Sequence, residues 1–267
     1  MSDAGTSELS GRTVLVALAH PDDEALACGG TVARLVDGGA RVVLVCASRG
    51  EMGSISDQDL LADRDLASVR CDELQASARV LGAQEVEQLG HDDGSLRWAD
   101  ALDDELRELL ARYKPDAVIT FDADGLYWHP DHIGMHERVT AAVTALDDET
   151  PALYYVSMPE GAMRALVDAA HLRGGAHDGG GLWGINPDAF GVHAPAPTLR
   201  IDVAPWVDRK LAAIRCHRTQ LGPGSPFAWL DPDAASRWLG VELYRRAPSR
   251  RASTCNLLES LGERMSG

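Results

Sequence analysis

Two short strings of similar composition carry the side chains of this chain that are best suited to chemistry. The sequence reads HPDDE at residues 20–24 and HPDH at residues 129–132. The first string offers an imidazole, His20, and a carboxylate, Asp23, three residues apart, with a second carboxylate, Asp22, beside them. The second string offers another imidazole. Two imidazoles, one carboxylate and an open position for water form the ligand set of a catalytic zinc, so the strings predict one divided metal site.

The elements around these strings indicate how they come together. Each string stands where an apolar run ends and a helical pattern begins. Apolar runs of strand length occupy residues 13–19, 41–47, 85–90, 117–121, 152–157 and 200–203, and helical periodicity occupies residues 24–36, 58–81, 101–113, 131–146 and 206–218. This alternation predicts an α/β fold that is doubly wound and Rossmann-like, with a mostly parallel sheet and helices on both faces.

The predicted topology joins the two strings into one site. In open α/β sheets, ligands bind outside the carboxyl ends of the strands, where the winding direction changes. His20 follows the first predicted strand and His132 follows the fourth. With the common strand order 3-2-1-4, these strands are neighbours and the two histidines can share one ion. The acidic residues 22–24 argue against a dinucleotide, because they stand where a pyrophosphate needs glycines.

Composition and charge limit the classes of protein and partner. A chain of 267 residues with 45% hydrophobic residues can bury one large core. We expect a flexible leader over residues 1–12, a single α/β domain over residues 13–248 and a tail over residues 249–267. The glycine-rich stretch 173–184 is expected to be a loop. A net charge of −16 repels nucleic acids and anionic membrane surfaces, so neither is expected as a partner.

The cysteines and the first residues bear on location. The five cysteines are widely spaced and form no C-x-x-C motif, which indicates reduced thiols rather than a disulfide framework. Residues 1–12 show no basic start followed by an apolar stretch, and no apolar run approaches the length of a membrane span. These features predict a cytoplasmic protein.

Longer motifs surround the two strings. They are AHPDDEALACGGTVARL from Ala19, GEMGS from Gly50, VRCDEL from Val69, the DDG turn from Asp92, ITFDADGLYWHPDHIGMH from Ile119 and KLAAIRCHRTQ from Lys210. Together they resemble the zinc-dependent deacetylases of the PIG-L/LmbE-like superfamily over most of the chain. Within that superfamily the sequence is most similar to the mycothiol-pathway deacetylases and amidases, and to deacetylases of antibiotic biosynthesis.

The resemblance implies a metal-dependent amide hydrolase. Such an enzyme removes an acetyl or other acyl group from an N-acylated amino sugar or its conjugate. The implied metal ligands are His20, Asp23 and His132, with zinc as the ion and iron(II) as a substitute, and Asp22 is the implied general base. A zinc with three protein ligands lowers the pKa of its bound water, whose proton a nearby carboxylate can accept. The implied partner is a small N-acetylated sugar or glycoconjugate, and the sequence leaves open whether the protein forms a homo-oligomer.

Five further residues match positions of the same family. Asp131 is expected to orient His129, which then stabilises the oxyanion as an imidazolium, and Tyr127 is expected to help polarise the acetyl carbonyl. Arg70 and Asp92 match positions that hold the sugar or its aglycone.

Two departures bear on these assignments. Asp93 takes the role of Asp92 if the turn is aligned one residue differently. Trp128 stands where many relatives have glycine, which is expected to narrow the rim of the site.

Other interpretations of these residues stay open. Asp22 can be explained as a second helix cap, His129 as a surface residue and Arg70 as an ion pair on its own helix. A thiol-conjugate amidase of the same superfamily is one alternative function. A non-haem iron oxygenase shares the set of two histidines and one carboxylate, although such sites usually occupy β-barrels. A non-catalytic sugar- or metal-binding module is the remaining alternative.

Overall fold

A computed structural model describes residues 8–146, 150–173, 182–222, 224–248 and 256–265 of the chain. Its strands are β1 (Thr13–Leu18), β2 (Arg41–Ser48), β3 (Glu85–His91), β4 (Ala117–Phe121), β5 (Ala152–Ser157), β6 (Leu199–Asp202), β7 (Val241–Arg246) and β8 (Glu263–Arg264). Its helices are α1 (Asp23–Asp37), α2 (Leu66–Leu81), α3 (Ala101–Tyr113), α4 (Gly125–Trp128), α5 (Pro130–Thr144), α6 (Ala162–His171), α7 (Val207–Ile214) and α8 (Pro232–Leu239).

All of these strands belong to one sheet. The strand order is β3-β2-β1-β4-β5-β7-β6-β8. The pairs β1–β2, β1–β4, β2–β3 and β4–β5 are parallel, and the pairs β5–β7, β6–β7 and β6–β8 are antiparallel. The predicted α/β fold with a mostly parallel sheet is therefore confirmed, and the first four strands have the order 3-2-1-4.

Helices cover the parallel part of the sheet on both sides. The chain winds one way from β1 to β3 and then crosses back to β4, so right-handed crossovers place α1 and α2 on the opposite face from α3 and α5. In agreement, α7 packs on α1 and α2, whereas α3 packs on α5. Because both faces are covered, β4 (AVITF) is buried at every position and β1 (TVLVAL) at every position but its first. The site described below lies where the winding direction changes.

Part of the predicted secondary structure needs correction. The helical pattern over residues 58–81 is divided into a single 3-10 turn at Gln58–Leu61 and the helix α2. Between the 3-10 turn and α2, Ala62 and Asp63 each have a positive φ. Asp65 caps α2 by accepting a hydrogen bond from the Ser68 N–H. Helices α6 and α8 and strand β7 were not predicted, because each is short and flanked by loops.

The predicted leader and tail contact the core where the structure describes them. Leu9 is buried, and its N–H donates to the Gly38 carbonyl oxygen. Toward the other end, Leu257, Leu258 and Leu261 are buried and β8 pairs with β6, so residues 256–265 do not form a free tail. Most of the predicted loop 173–184 lies outside the described residues. No helix within the described ranges is long and apolar enough to cross a membrane.

Candidate functional site

Three implied metal ligands meet at the carboxyl ends of β1 and β4. His20 follows β1, Asp23 is the first residue of α1, and His132 lies in the first turn of α5. The His20 Nδ1 lies 3.2 Å from the His132 Nε2, and the Asp23 carboxylate lies 3.4 Å from each of these nitrogens. All three side chains are buried. Atoms bound at roughly 2.0–2.1 Å to a tetrahedral zinc are about 3.3–3.4 Å apart, so the spacing of the two nitrogens fits this ion, with one Asp23 oxygen beside each of them.

Hydrogen bonds show which imidazole nitrogens face this point. The His132 Nδ1 donates to the Gly125 carbonyl oxygen at 3.1 Å, because that oxygen can only accept. The His20 Nε2 lies 3.2 Å from the Asp93 carboxylate and 3.3 Å from the Asp131 carboxylate, and it carries a proton for the same reason. The other nitrogen of each ring then directs a lone pair at one buried point. This arrangement is typical of metal-bound histidines whose second nitrogen is held by a carboxylate or carbonyl.

The charges around this point favour a cation. Burial lowers the pKa of His20, but the carboxylates of Asp131, Asp23 and Asp93 outweigh burial and raise it well above its usual value. Burial lowers the pKa of His132 to about 3, so this ring is neutral. The carboxylates therefore attract positive charge, which either a second proton on His20 or a divalent ion supplies.

Asp22 lies beside these ligands in a backbone conformation that is rare for a residue with a side chain. It caps α1 with φ 132° and ψ −26°, and such strain is worth about 1–3 kcal/mol and concentrates at functional sites. Its N–H donates to the Glu24 carboxylate at 3.0 Å, and its carboxylate accepts from Arg70 at 3.1 Å. Burial raises the pKa of Asp22 to about 6, although the Arg70 charge opposes this. A carboxylate in this state can exchange a proton near neutral pH.

Arg70 is held between two loops rather than in an ion pair on its own helix. Its side chain is buried and donates to the carbonyl oxygens of Gly50, at 2.7 Å, and of Pro21. A Cβ on Gly50 would lie 2.6 Å from the Arg70 Nη1, and Gly50 has φ 65°. Glycine is therefore required at this position. The structure brings Arg70 to Asp22 and to the cavity, and its role in holding the sugar stays a prediction.

The carboxylate that supports Asp22, Glu24, was not predicted from the sequence. One Glu24 oxygen accepts from the Asp22 N–H, and the other accepts from the His217 Nε2 at 2.7 Å and from the Ser77 hydroxyl. Burial alone would raise the pKa of the Glu24 carboxyl, but the opposing effect of His217 is larger and the pKa is lowered. Glu24 and His217 therefore form a buried ion pair. Glu24 stands inside HPDDE and was a visible signal. Its partner is 193 positions away, and no spacing connects the two.

The structure corrects the relation between His129 and Asp131. The Asp131 carboxylate accepts from the N–H groups of Gly94 and Leu96 and lies against His20. The Asp131 N–H, rather than its carboxylate, contacts the His129 Nδ1, at 3.2 Å. Burial, together with His20, lowers the pKa of His129. The structure thus contradicts the expected imidazolium held by Asp131, and His129 is a neutral ring whose Nε2 carries the proton.

Tyr127 and His129 lie on the same side of the ligand cluster. A ring nitrogen of His129 lies within 4.8 Å of nitrogens of His20 and His132. The Tyr127 ring meets the rings of His129 and His132 edge-on, at centroid distances of 5.6 Å and 5.2 Å. Burial raises the pKa of the Tyr127 phenol well above its usual value, so it stays a hydrogen-bond donor.

The predicted sugar-binding residue after β3 also needs correction. Asp92 is exposed and forms an ion pair with Arg49, whereas Asp93 lines the cavity beside His20. Neighbouring residues of this turn face opposite ways, so Asp93 replaces Asp92 in the site. Trp128 is 49% exposed and is not among the residues that line the cavity, contrary to the expected narrowing of the rim. Its φ of 65° lies in the left-handed region that favours glycine.

A cavity of about 530 Å³ opens in front of these side chains. Its volume is typical of sites that enclose a small molecule. Its titratable lining residues are His20, Asp22, Asp23, Arg70, Asp93, Tyr127, His129 and His132. The site can therefore hold a divalent ion, a carboxylate base and two neutral hydrogen-bond donors around one bound group.

Proteins of known sequence match most of this chain. The sequence profile of the PIG-L family, described as GlcNAc-PI de-N-acetylase, matches residues 15–143. The 1D-myo-inositol 2-acetamido-2-deoxy-alpha-D-glucopyranoside deacetylase of Acidothermus cellulolyticus is 32% identical over 256 residues, which cover 87% of this chain and 88% of that protein.

Solved structures share the fold. The N,N'-diacetylchitobiose deacetylase of Pyrococcus horikoshii matches with a TM-score of 0.58 and 24% identity, over 89% of this chain and 84% of that one. GalB of Pseudomonas putida, a 4-carboxy-2-hydroxymuconate hydratase, matches with a TM-score of 0.60 and 20% identity, over 92% and 99%. Their different names show that the fold alone does not fix the reaction. The match to the Acidothermus protein over nearly its whole length decides the family, and this chain belongs to the PIG-L family.

Proposed function

We propose that this protein is a metal-dependent amide hydrolase that removes an acetyl or other acyl group from an N-acylated amino sugar, releasing the free amine. The observation that carries the proposal is the convergence of His20, Asp23 and His132 beside the buried carboxylate Asp22. The deacetylase name of the Acidothermus relative supports the same reaction.

His20, Asp23 and His132 would hold the ion, because two proton-free nitrogens lie 3.2 Å apart and each lies 3.4 Å from one of the two Asp23 carboxylate oxygens. When bound, zinc or iron(II) supplies Lewis-acid polarisation of the amide carbonyl and lowers the pKa of a water. Asp93 and Asp131 keep the His20 Nε2 protonated and so fix the ring orientation.

Asp22 accepts the proton of the attacking water. Its pKa of about 6 is close to neutrality, which suits a group that first takes up a proton and later returns it. Arg70 holds this carboxylate from one side, and Glu24 holds its backbone N–H from the other. After the attack, Asp22 gives the proton to the leaving nitrogen, which departs as the amine of the sugar.

His129 and Tyr127 stabilise the negative charge on the carbonyl oxygen. The Asp131 N–H occupies the His129 Nδ1, so the Nε2–H is free to donate as a neutral imidazole. The Tyr127 hydroxyl stays protonated and provides a second donor. One such donor typically contributes about 10²–10³-fold to turnover. Arg70 and Asp93 line the same cavity and would contact the sugar.

The test is a release assay on metal-loaded protein with a panel of N-acetylated amino sugars. Acetate and free amine should appear in equal amounts, and Asp22→Asn protein is the matched control because it keeps all three ligands. Oxygen consumption without acetate release would favour the oxygenase alternative, although the parallel sheet is unlike the barrels of that class. Sugar binding without release by the loaded wild type would favour the non-catalytic module.

The same assay with thiol-conjugated amides separates an amidase from a deacetylase.

A cytoplasmic location also stays a proposal. It is supported by the free thiols of Cys28, Cys46, Cys71 and Cys216 among the described residues.

A further inference from the structure

The cavity lining falls into two chemically different groups of residues. From the first part of the chain, Arg70 and Asp93 join the proposed metal ligands and offer hydrogen bonds to sugar hydroxyls. A second wall is formed by later parts of the chain, including Met163 and Leu166 of α6.

This second wall, formed by residues numbered above 150, is almost entirely apolar. The lining residues numbered above 150 are Met158, Ala162, Met163, Leu166, Trp183, Ile185, Phe190, Gln220, Phe227, Trp238 and Leu239. Gln220 is the one member of this set with an amide or charged side chain, and it already donates to the Ser54 carbonyl oxygen. The Trp183 indole N–H is also used, since it donates to the Gln220 carbonyl oxygen. The wall therefore offers few free hydrogen-bonding groups to a ligand.

A polar aglycone does not suit this wall. Burying a hydroxyl without a hydrogen-bond partner is unfavourable, so a polyol placed against Leu166, Phe190 and Phe227 would lose the bonds it makes in water. An alkyl or aryl group gains from the same burial. The cavity volume of about 530 Å³ also lies in the range that encloses a drug-sized ligand, and a single acetamido sugar fills part of it.

We infer that the substrate carries an apolar alkyl or aryl group, and that the wall formed by α6, α8 and residues 183–190 binds it. This inference rests on the proposed function, because it places the scissile amide at His20, Asp23 and His132. These ligands line the same cavity as the wall. The apolar group is attached either through the acyl carbonyl, as a chain longer than acetyl, or through the sugar, as an apolar aglycone.

The experiment compares kcat/KM for four substrates with metal-loaded protein. N-acetylglucosamine is the reference, its inositol glycoside is the polar arm, octyl N-acetylglucosaminide is the aglycone arm and N-octanoylglucosamine is the acyl arm. Each buried methylene should raise kcat/KM about three- to fourfold, so the better apolar arm should exceed the reference by at least roughly 10²-fold. Hydrolysis of the reference and the inositol glycoside as fast as both apolar arms would overturn the inference and leave the proposed function intact.

A binding measurement separates failure of the inference from failure of the function. Calorimetry with Asp22→Asn protein and octyl N-acetylglucosaminide needs no turnover. Binding at least about tenfold tighter than that of N-acetylglucosamine supports the apolar wall even if no substrate is hydrolysed. Equal binding of the two sugars, together with equal binding of N-octanoylglucosamine, overturns it.

Matched variants test the location of the subsite. Leu166→Asn should lower the ratio of kcat/KM for the better apolar arm over the reference by about tenfold, because the alkyl group then meets a buried amide. Leu239→Asn is a second variant at a half-buried position of the same wall, in case the first fails to fold. Leu172→Asn is the control, since Leu172 follows α6 and is 90% exposed. An unchanged ratio in both wall variants would exclude this wall as the subsite.

Discussion

The two halves of this chain contribute different properties to one cavity. Residues 13–144 form the parallel strands β1 to β4 and supply every proposed ligand, base and oxyanion donor. Residues 152–265, where described, add β5, the antiparallel strands β7, β6 and β8, and the apolar wall. The family profile matches residues 15–143, which is almost the first region alone. The comparison teaches that the proposed reacting groups and the apolar wall of the cavity come from different parts of the chain.

The two regions are nevertheless joined by buried polar contacts. His217 of the second region holds Glu24, which in turn holds the Asp22 N–H. Helix α1 is kinked at Cys28, and the Glu242 carboxylate of β7 accepts from the Gly30 and Thr31 N–H groups at 2.8 Å beyond that kink. The second region therefore supports the geometry of the first, and the following variants measure how far the division of roles extends.

His132→Ala should have the largest effect. Removing one of three ligands should reduce bound metal from about one ion per chain to almost none, and activity should fall with it. Elemental analysis of purified protein checks the stoichiometry. Full metal content in this variant would contradict the ligand set, and Leu166→Asn from the second region should keep its metal.

Asp22→Asn should retain the metal and lower kcat by roughly 10²–10⁴-fold, the usual range for a positioned general base. The measurement is kcat at saturating substrate, alongside metal content. Loss of metal with a normal rate per bound ion would instead make Asp22 a ligand.

His217→Gln tests whether the second region reaches the chemistry. Because Glu24 fixes the strained backbone at Asp22, weakening its partner should lower kcat by about 10- to 10²-fold while KM and metal content stay unchanged. A purely structural role would instead lower the melting temperature and leave kcat of the folded protein intact.

Lys210→Met should lower the free energy of unfolding by about 3 kcal/mol. Lys210 and Glu242 form a buried ion pair with an N···O distance of 2.6 Å, and removal of one partner leaves the other charge buried and uncompensated. Urea denaturation gives the value. The control is Arg41→Met at an exposed pair with Glu85, which should change stability by less than about 1 kcal/mol. Equal effects of the two variants would refute the distinction.

Asp124→Asn should give the smallest effect and the opposite sign. The Asp124 carboxylate is buried, and burial, followed by the charge of Asp122, raises the pKa of Asp124 to about 6. Ionising Asp124 therefore destabilises the fold above pH 6, and this penalty disappears below about pH 4, where the group is protonated in both states. The variant should gain about 1–2 kcal/mol at pH 7.5 and nothing at pH 4, as measured by thermal unfolding.

The sequence predicts the first region well because its signals are local. Apolar runs identify β1 and β4, and the residues that follow them, His20 and the HPDH string, therefore lie at the topological switch point. The order 3-2-1-4 is one of two common windings of such sheets, so the sequence alone does not decide it, and the structure has this order.

The remaining details depend on contacts between distant residues. Backbone N–H groups of the turn after β3 hold the Asp131 carboxylate against His20 and away from His129. The direction of the same turn places Asp93, and not Asp92, beside His20. Strand β7 (VELYRR) is short and mostly polar. Only its neighbours β5 and β6 define it as an inner strand, so its sequence gives little indication of its place.

The two-residue strand β8 has a consequence for solubility. It covers the outer edge of β6 with Glu263 and Arg264, which carry opposite charges and form an edge too short to recruit a strand of another molecule. A chain truncated at residue 255 would expose this edge together with the apolar surface against which Leu257, Leu258 and Leu261 pack. Aggregation through sheet extension would then compete with folding, even though every proposed reacting group lies far away in the sequence.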